Sequence, residues 1–128
     1  MVFELGDVDT WIFDLDNTLY PASSNLFARV SKRMTYFIQK EFQLDEEPAR
    51  DLQSKMFRKY GTTMRGLMTE YDMDGEEFLH FVHDIDVSDM NKDLELAELL
   101  SKLPGRRLIY TNGSVPHAKR ITGQLGIE

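Results

Sequence analysis

The 128-residue chain contains no cysteine, which excludes disulfides, thiolate metal sites and cysteine nucleophiles. No apolar run approaches the roughly 20 residues of a membrane-spanning helix. The acidic opening MVFELGDVDT lacks the basic start of a signal peptide. Positive charge is scarce as well: 15 Lys and Arg against 22 Asp and Glu leave a net charge of -7. A nucleic-acid backbone needs a basic face, so it is a poor candidate partner. A small phosphorylated substrate stays compatible, because a local site can be positive inside an acidic protein. The expectation is a soluble, cytoplasmic protein with neither a nucleic-acid nor a membrane partner. Composition leaves the oligomeric state open.

What is present is ordinary for a globular chain, with 41% hydrophobic and 29% charged residues. The length allows one compact domain, or a small core carrying an insert. A first strand is expected over residues 10–14, apolar on both faces like a central strand of a parallel sheet. Pro21 and the Ser-Ser-Asn after it mark a loop and a helix start.

Four helical stretches follow. Leu26, Phe27, Val30, Met34, Phe37, Ile38 and Phe42 recur at helical spacing. Residues 46–60 form a second stripe with Leu52, Met56, Phe57 and Tyr60, ended by Gly61, after which Thr62 can cap a third. Met64, Leu67, Met68 and Tyr71 make that third stripe. Phe78, Leu79, Phe81 and Val82 make a fourth beyond Asp74-Gly75. The methionines Met34, Met56, Met64 and Met68 are expected as core filler. The linker HDIDVSDMN leads to a Leu-rich helix stopped by Pro104-Gly105. A second strand is expected over residues 107–111, and a last helix over residues 116–125 with Gly126 as its cap.

The chemistry concentrates in WIFDLDNTLY, residues 11–20. Side chains alternate along a strand, so Asp14 and Asp16 share a direction if the extended chain persists. They fall at the carboxyl end of the strand, where open α/β sheets bind ligands. A carboxylate there can serve as a nucleophile or as a metal ligand. Two close carboxylates repel and favour a shared cation or proton. Mg²⁺ suits carboxylate and phosphate oxygens together. The blander alternative is a strand end followed by a turn at Asn17.

The second strand repeats the design. LIYTNGS ends in a hydroxyl, an amide and a glycine: Thr111 offers a donor, Asn112 an amide, and Gly113 lets the backbone approach an anion. Phosphoryl transfer needs mainly positioning and charge neutralisation, which two such turns begin to supply.

Two stretches carry a family resemblance. Phe13-Asp14-Leu15-Asp16-Asn17-Thr18-Leu19-Tyr20 resembles the first motif of haloacid-dehalogenase-like hydrolases, and Leu108-Ile109-Tyr110-Thr111-Asn112-Gly113 resembles the second. The helical insert between them looks like that family's cap of the first type. YGTTMRGLM, HDID and LPGRRLIYTNGS look most like the pyrimidine 5'-nucleotidase branch.

The resemblance implies an α/β fold: a Rossmann-like parallel sheet core over residues 1–19 and 90–128, only two of its strands lying in this chain. An all-α cap would occupy residues 20–89. It implies a Mg²⁺-dependent phosphatase acting on a small phosphomonoester, a nucleoside 5'-monophosphate above all. Asp14 would attack phosphorus, and Asp16 would be the acid-base. Asp14 and the Asp16 main-chain carbonyl would hold the metal. Thr111, Asn112 and Gly113 would bind the phosphoryl group, and Thr18 would fix the turn.

In the cap, Tyr60, Thr63 and Arg65 are candidate contacts to a base or sugar. A solvated helix face with capping threonines explains them equally well. His80 and His83 read as surface residues at a helix end. His117 reads as a polar residue of the first turn after the phosphate loop. Asp84, Asp86, Ser88 and Glu95 approach a calcium-loop pattern, but Asp89 stands where glycine is required.

The family's later Lys or Arg and its late acidic pair have no counterpart before Glu128. The chain is therefore expected to be the N-terminal part of a longer hydrolase. The alternative is a non-catalytic phosphate-binding or interaction module without those motifs. The two differ in the encoding DNA: the enzyme predicts a frame continuing past Glu128 to a Lys and an acidic strand end, and the module predicts a stop there.

Overall fold

The computed structural model describes residues 4–127. It contains a two-stranded parallel sheet and six α-helices among those residues, and the chain divides into two compact units. One runs up to Leu26 and resumes at Asp86. The other is Phe27–Ile85.

The first unit is built on β1 (Thr10–Phe13) and β2 (Arg106–Ile109), paired in parallel from Thr10 opposite Arg106 to Phe13 opposite Ile109. The ladder extends beyond both ends. Arg106 N donates to Asp9 O at 2.8 Å, and Tyr110 N donates to Phe13 O at 2.8 Å. Trp11 Nε1 donates to Pro104 O at 2.8 Å, tying the turn before β2 to β1. Gly105 makes that turn with φ +83°, and a Cβ there would collide with the Asp9 carbonyl. Only glycine lets the backbone approach this closely in a left-handed conformation.

Both strands are shorter than the sequence suggests, and they are less buried. Ile12 is 67% exposed, and all four residues of β2 are exposed. Parallel strands are sheathed on both faces only where helices lie on both, and a two-stranded sheet offers each side chain few neighbours.

The helices of this unit are capped as their sequences dictate. α5 (Leu94–Ser101) starts at Asp93, whose carboxylate accepts from Leu96 N at 3.0 Å. α6 (Val115–Leu125) starts at Ser114, whose hydroxyl accepts from His117 N at 3.3 Å, and ends at Gly126 with φ +77°. Each cap satisfies backbone groups that the helix itself leaves without a partner. Ile121 and Leu125 of α6 are buried. Gln124 Nε2 donates to Val87 O at 2.9 Å, and Asp93 N to Leu125 O at 2.9 Å. These bonds hold the linker 87–93 to α6.

In the other unit, α1 (Leu26–Phe42) continues from its first residue into α2 (Glu46–Tyr60), α3 (Thr63–Tyr71) and α4 (Gly75–Val82). The apolar stripes converge as their spacing requires. Val30, Phe37, Ile38, Ala49, Met56, Leu67, Phe78 and Val82 are buried, and Phe37 meets Phe78 edge to face at 5.2 Å. Removing the fully buried Met56 side chain should cost about 2–5 kcal/mol. Gly66 sets the spacing of α2 and α3, since a Cβ there would lie 2.6 Å from Met56 Cβ. Thr62 caps α3 by accepting from Arg65 N, and Asp74 caps α4 by accepting from Glu76 N and Glu77 N.

Two expectations need correction in this unit. The methionine stripe is core at Met56, but Met68 is 44% exposed. His83 is buried and not a surface residue. It occupies the C-cap of α4, where the chain turns so that Ile85 N bonds back to His83 O at 2.9 Å, and Ile85 is itself buried. Among the described residues no helix is long and apolar enough to cross a membrane. None of the described His, Asp and Glu residues form a group of three that could hold a metal ion, the linker acids included.

Replacing Gly105 with alanine should destabilise the fold by about 1–3 kcal/mol, more than a surface substitution would, and so lower the denaturation midpoint. Trp11, the one tryptophan, reports the strand pair by its fluorescence. An unchanged midpoint would show that the Asp9–Arg106 approach is dispensable.

Candidate active site

Because β1 and β2 run parallel, their carboxyl ends open at the same edge. At the end of β1, Asp14 is exposed while Leu15 turns inward and is fully buried. The Leu15 carbonyl accepts from both Thr18 N (3.2 Å) and Leu19 N (3.0 Å), which closes a tight turn. Asn17 takes the left-handed conformation at φ 59°, a role in which asparagine is tolerated better than most residues. Leu19 and Tyr20 then re-enter the interior. Burial of Leu15, Leu19 and Tyr20 therefore fixes the turn that displays the two aspartates.

Each aspartate is met by the residue four positions on. Thr18 Oγ1 donates to Asp14 Oδ2 at 2.9 Å, and Tyr20 Oη donates to Asp16 Oδ1 at 2.5 Å. From β2, Thr111 Oγ1 donates to Asp16 Oδ2 at 3.4 Å and accepts from Gly113 N at 3.1 Å. From the first turn of α6, His117 Nε2 lies 3.2 Å from Asp16 Oδ1. Tyr20 and His117 are 3% and 2% exposed, whereas the Asp16 side chain keeps 29%. Asp16 is thus an accessible carboxylate gripped from beneath by buried rings. The pKa of the Tyr20 phenol is raised well above its ordinary value of 10.0. Burial is the first cause, followed by the hydrogen bond to Asp16 and the charge of that carboxylate.

The structure brings Asp14, Asp16 and Thr111 to one edge, with Asn112 and Gly113 in the loop that follows. Tyr60, Thr63 and Arg65 belong to the helical unit. There Thr63 Oγ1 donates to Gln53 O at 3.2 Å and is buried, so its hydroxyl links α3 to α2. The Tyr60 hydroxyl is beside Glu70, which pairs with Lys59 at 3.1 Å. Both contacts depress the Glu70 carboxyl below its usual range, Tyr60 first, and Glu70 in turn raises the Lys59 ammonium. Arg65 has an exposed side chain, and its main-chain N–H engages the Thr62 cap.

Sequence reasoning gave no role to Tyr20, and it placed His117 in the first turn after the loop without its contact to Asp16. His117 does lie in that first turn, and its ring is buried against Asp16. The signals were there to find. Tyr20 stands four after Asp16, and His117 stands three after the capping Ser114, both beside polar loops.

No family model matches the chain. It is similar to Phosphate metabolism protein 8 of Saccharomyces cerevisiae (strain ATCC 204508 / S288c). The two are 29% identical in a 127-residue alignment that covers 91% of this chain. The chain spans 40% of the length of that relative.

The two groups expected to hold a metal, the Asp14 carboxylate and the Asp16 main-chain carbonyl, are both oxygen donors. Mg²⁺ binds through one or two carboxylates plus phosphate and water, so these donors fit it in kind.

Since the folded phenol of Tyr20 ionises above the unfolded value of 10.0, the unfolded state releases its proton first. The contribution of this residue is fully present below about pH 10 and is lost as pH rises from there toward the folded value. Thermal unfolding midpoints should fall more steeply above pH 10 in the native chain than in Tyr20→Phe. Equal slopes would mean that Tyr20 is not held protonated by the fold.

Proposed function

We propose that this chain carries the nucleophile and the acid-base of a Mg²⁺-dependent phosphatase. Its fold is a Rossmann-like core with a helical cap, of the haloacid-dehalogenase-like type and closest to the pyrimidine 5'-nucleotidase branch. The observation that carries this reading is the meeting of Asp16, at the end of β1, with Thr111, at the end of β2, beside an exposed Asp14. Similarity to a relative named for phosphate metabolism supports it.

In the first step an Asp14 oxygen attacks phosphorus and the bond from phosphorus to the ester oxygen breaks. Asp16 gives its proton to the departing alcohol. In the second step Asp16 takes a proton from water, the water oxygen attacks the aspartyl-phosphate, and phosphate and free Asp14 are released. The Asp16 side chain keeps 29% exposure, which suits it to both transfers. Thr18 holds one Asp14 oxygen at 2.9 Å, which orients the other for attack.

Thr111, Asn112 and the Gly113 backbone would bind the phosphoryl oxygens, aided by the positive N-terminal end of α6 just after them. Mg²⁺, held by the Asp14 carboxylate and the Asp16 main-chain carbonyl, would supply charge neutralisation. The substrate is a small phosphomonoester, a nucleoside 5'-monophosphate in this reading. Within the helical unit, Arg65 keeps an exposed side chain, and Thr63 is committed to Gln53.

Incubation of the complete protein, with the later motifs that the 128 residues lack, with nucleoside 5'-monophosphates and Mg²⁺ should release inorganic phosphate, whereas the 128-residue chain alone should be weakly active or inactive. Asp14→Asn should lower kcat by about 10³-fold or more, and Asp16→Asn by about 10²–10⁴-fold. Chelation of the metal should abolish turnover. If phosphate binds but no substrate in the panel turns over, and Asp14→Asn changes nothing, the non-catalytic phosphate-binding module is the better description.

A further inference from the structure

Tyr20 and His117 converge on one oxygen of Asp16. Tyr20 Oη donates to Oδ1 at 2.5 Å, and His117 Nε2 lies 3.2 Å from the same atom. The phenolic bond is as short as a hydroxyl–carboxylate bond becomes, in the range of charge-assisted pairs. The Oδ2 contact to Thr111 is longer, at 3.4 Å. A hydroxyl bond of that length lies past the usual range and constrains direction weakly.

The two rings are themselves immobilised. Tyr20 closes a turn whose Leu15 carbonyl accepts two backbone N–H groups, and Leu15 and Leu19 anchor it in the interior. His117 sits in the first turn of α6, its N–H bonded to the Ser114 cap. Both rings are nearly fully buried, so neither can follow a carboxylate that swings toward solvent. They also come from opposite ends of the chain and from different elements. A single turn could move as a unit with Asp16, but two independent anchors cannot.

We propose that Tyr20 and His117 are positioning residues for Asp16: they clamp Oδ1 and hold the side chain in one χ1 rotamer, so that Oδ2 is presented at the phosphate-loop side. This rests on the phosphatase reading for its consequence, and on the geometry alone for the clamp. His117 acts as an Nε2–H donor in this arrangement. Proton transfer to a leaving group depends steeply on placement, and an error of about 1 Å can cost on the order of 10²-fold.

The clamp is testable without turnover. Three-bond couplings from Asp16 Cγ to its main-chain N and C′ report its χ1 angle by NMR. The native chain should show a single χ1 rotamer, and the double variant Tyr20→Phe, His117→Leu should show averaging. His117→Gln, which keeps a donor near the Nε2 position, should restore a single rotamer in the Tyr20-intact chain relative to His117→Leu. A single rotamer surviving in the double variant, or averaging already present in the native chain, overturns the clamp. If His117→Leu fails to fold, Tyr20→Phe alone carries the measurement: averaging supports the clamp, and a single rotamer as sharp as the native one overturns it.

Kinetics then separate the two claims. Tyr20→Phe and His117→Leu should each lower kcat by about 10–100-fold with KM nearly unchanged, and His117→Gln should recover most of the loss. A rise in KM with kcat intact overturns the positioning role. Rotamer averaging together with an Asp14→Asn variant as active as the native chain would leave the clamp standing and remove the phosphatase reading.

Discussion

Parallel pairing of β1 with β2 is the constraint on which the candidate site depends. Thr10 stands opposite Arg106 and Phe13 opposite Ile109, so two segments far apart in sequence end at one edge. Had they paired antiparallel, the Asp14 turn and the Thr111 loop would lie at opposite ends of the sheet. The pairing begins at a position that tolerates only glycine, because Arg106 N must reach the Asp9 carbonyl past residue 105. Trp11 reinforces that start by its bond to Pro104 O. A backbone detail at one end of the strands thus governs which side chains meet at the other.

Within that frame, burial creates the site's asymmetry. Leu15, Leu19 and Tyr20 go inward, and the polar residues between them are left outside. Asp14 ends up exposed, with Thr18 on one oxygen. Asp16 ends up partly covered, its Oδ1 beside two buried rings. Two carboxylates two residues apart therefore have different surroundings. Different surroundings are what two roles, nucleophile and acid-base, require. The hydrophobic residues of DLDNTLY contribute to this as much as the polar ones, because they hold the turn in place.

The helical unit was largely legible from its periodicity. Residues 46–60 read as a helix ended by Gly61, and α2 spans Glu46–Tyr60 with Gly61 at φ +89°. Thr62 and Ser114 take the cap positions that their hydroxyls suit. The errors lie where the pattern is silent about direction. His83 looks like a surface residue, because a polar residue at a helix end has no periodic signature for burial. Met68 lies on an apolar stripe and still stays half exposed. In β1, the apolar stretch suggests burial on both faces, yet burial also depends on how many neighbours a sheet supplies. Thr63 looked available to a ligand, but packing of α3 on α2 turns its hydroxyl to Gln53 O.

By itself, the sequence determined the helices and their caps, the two strand ends and the identity of the polar groups there. Those are local properties: spacing, turn chemistry and side-chain type all act within a few residues. It also set the acidic balance and the absence of cysteine, which narrow the chemistry to oxygen and nitrogen groups. Only the tertiary structure decided that Asp16 rather than Asp14 receives the buried rings. His117 reaches that carboxylate because α6 follows β2 across the same edge, and Tyr20 because the turn folds back on itself. Contacts between residues a hundred positions apart leave no periodic trace in a single chain, so Thr111 and His117 became visible as partners of Asp16 only once the strands were paired.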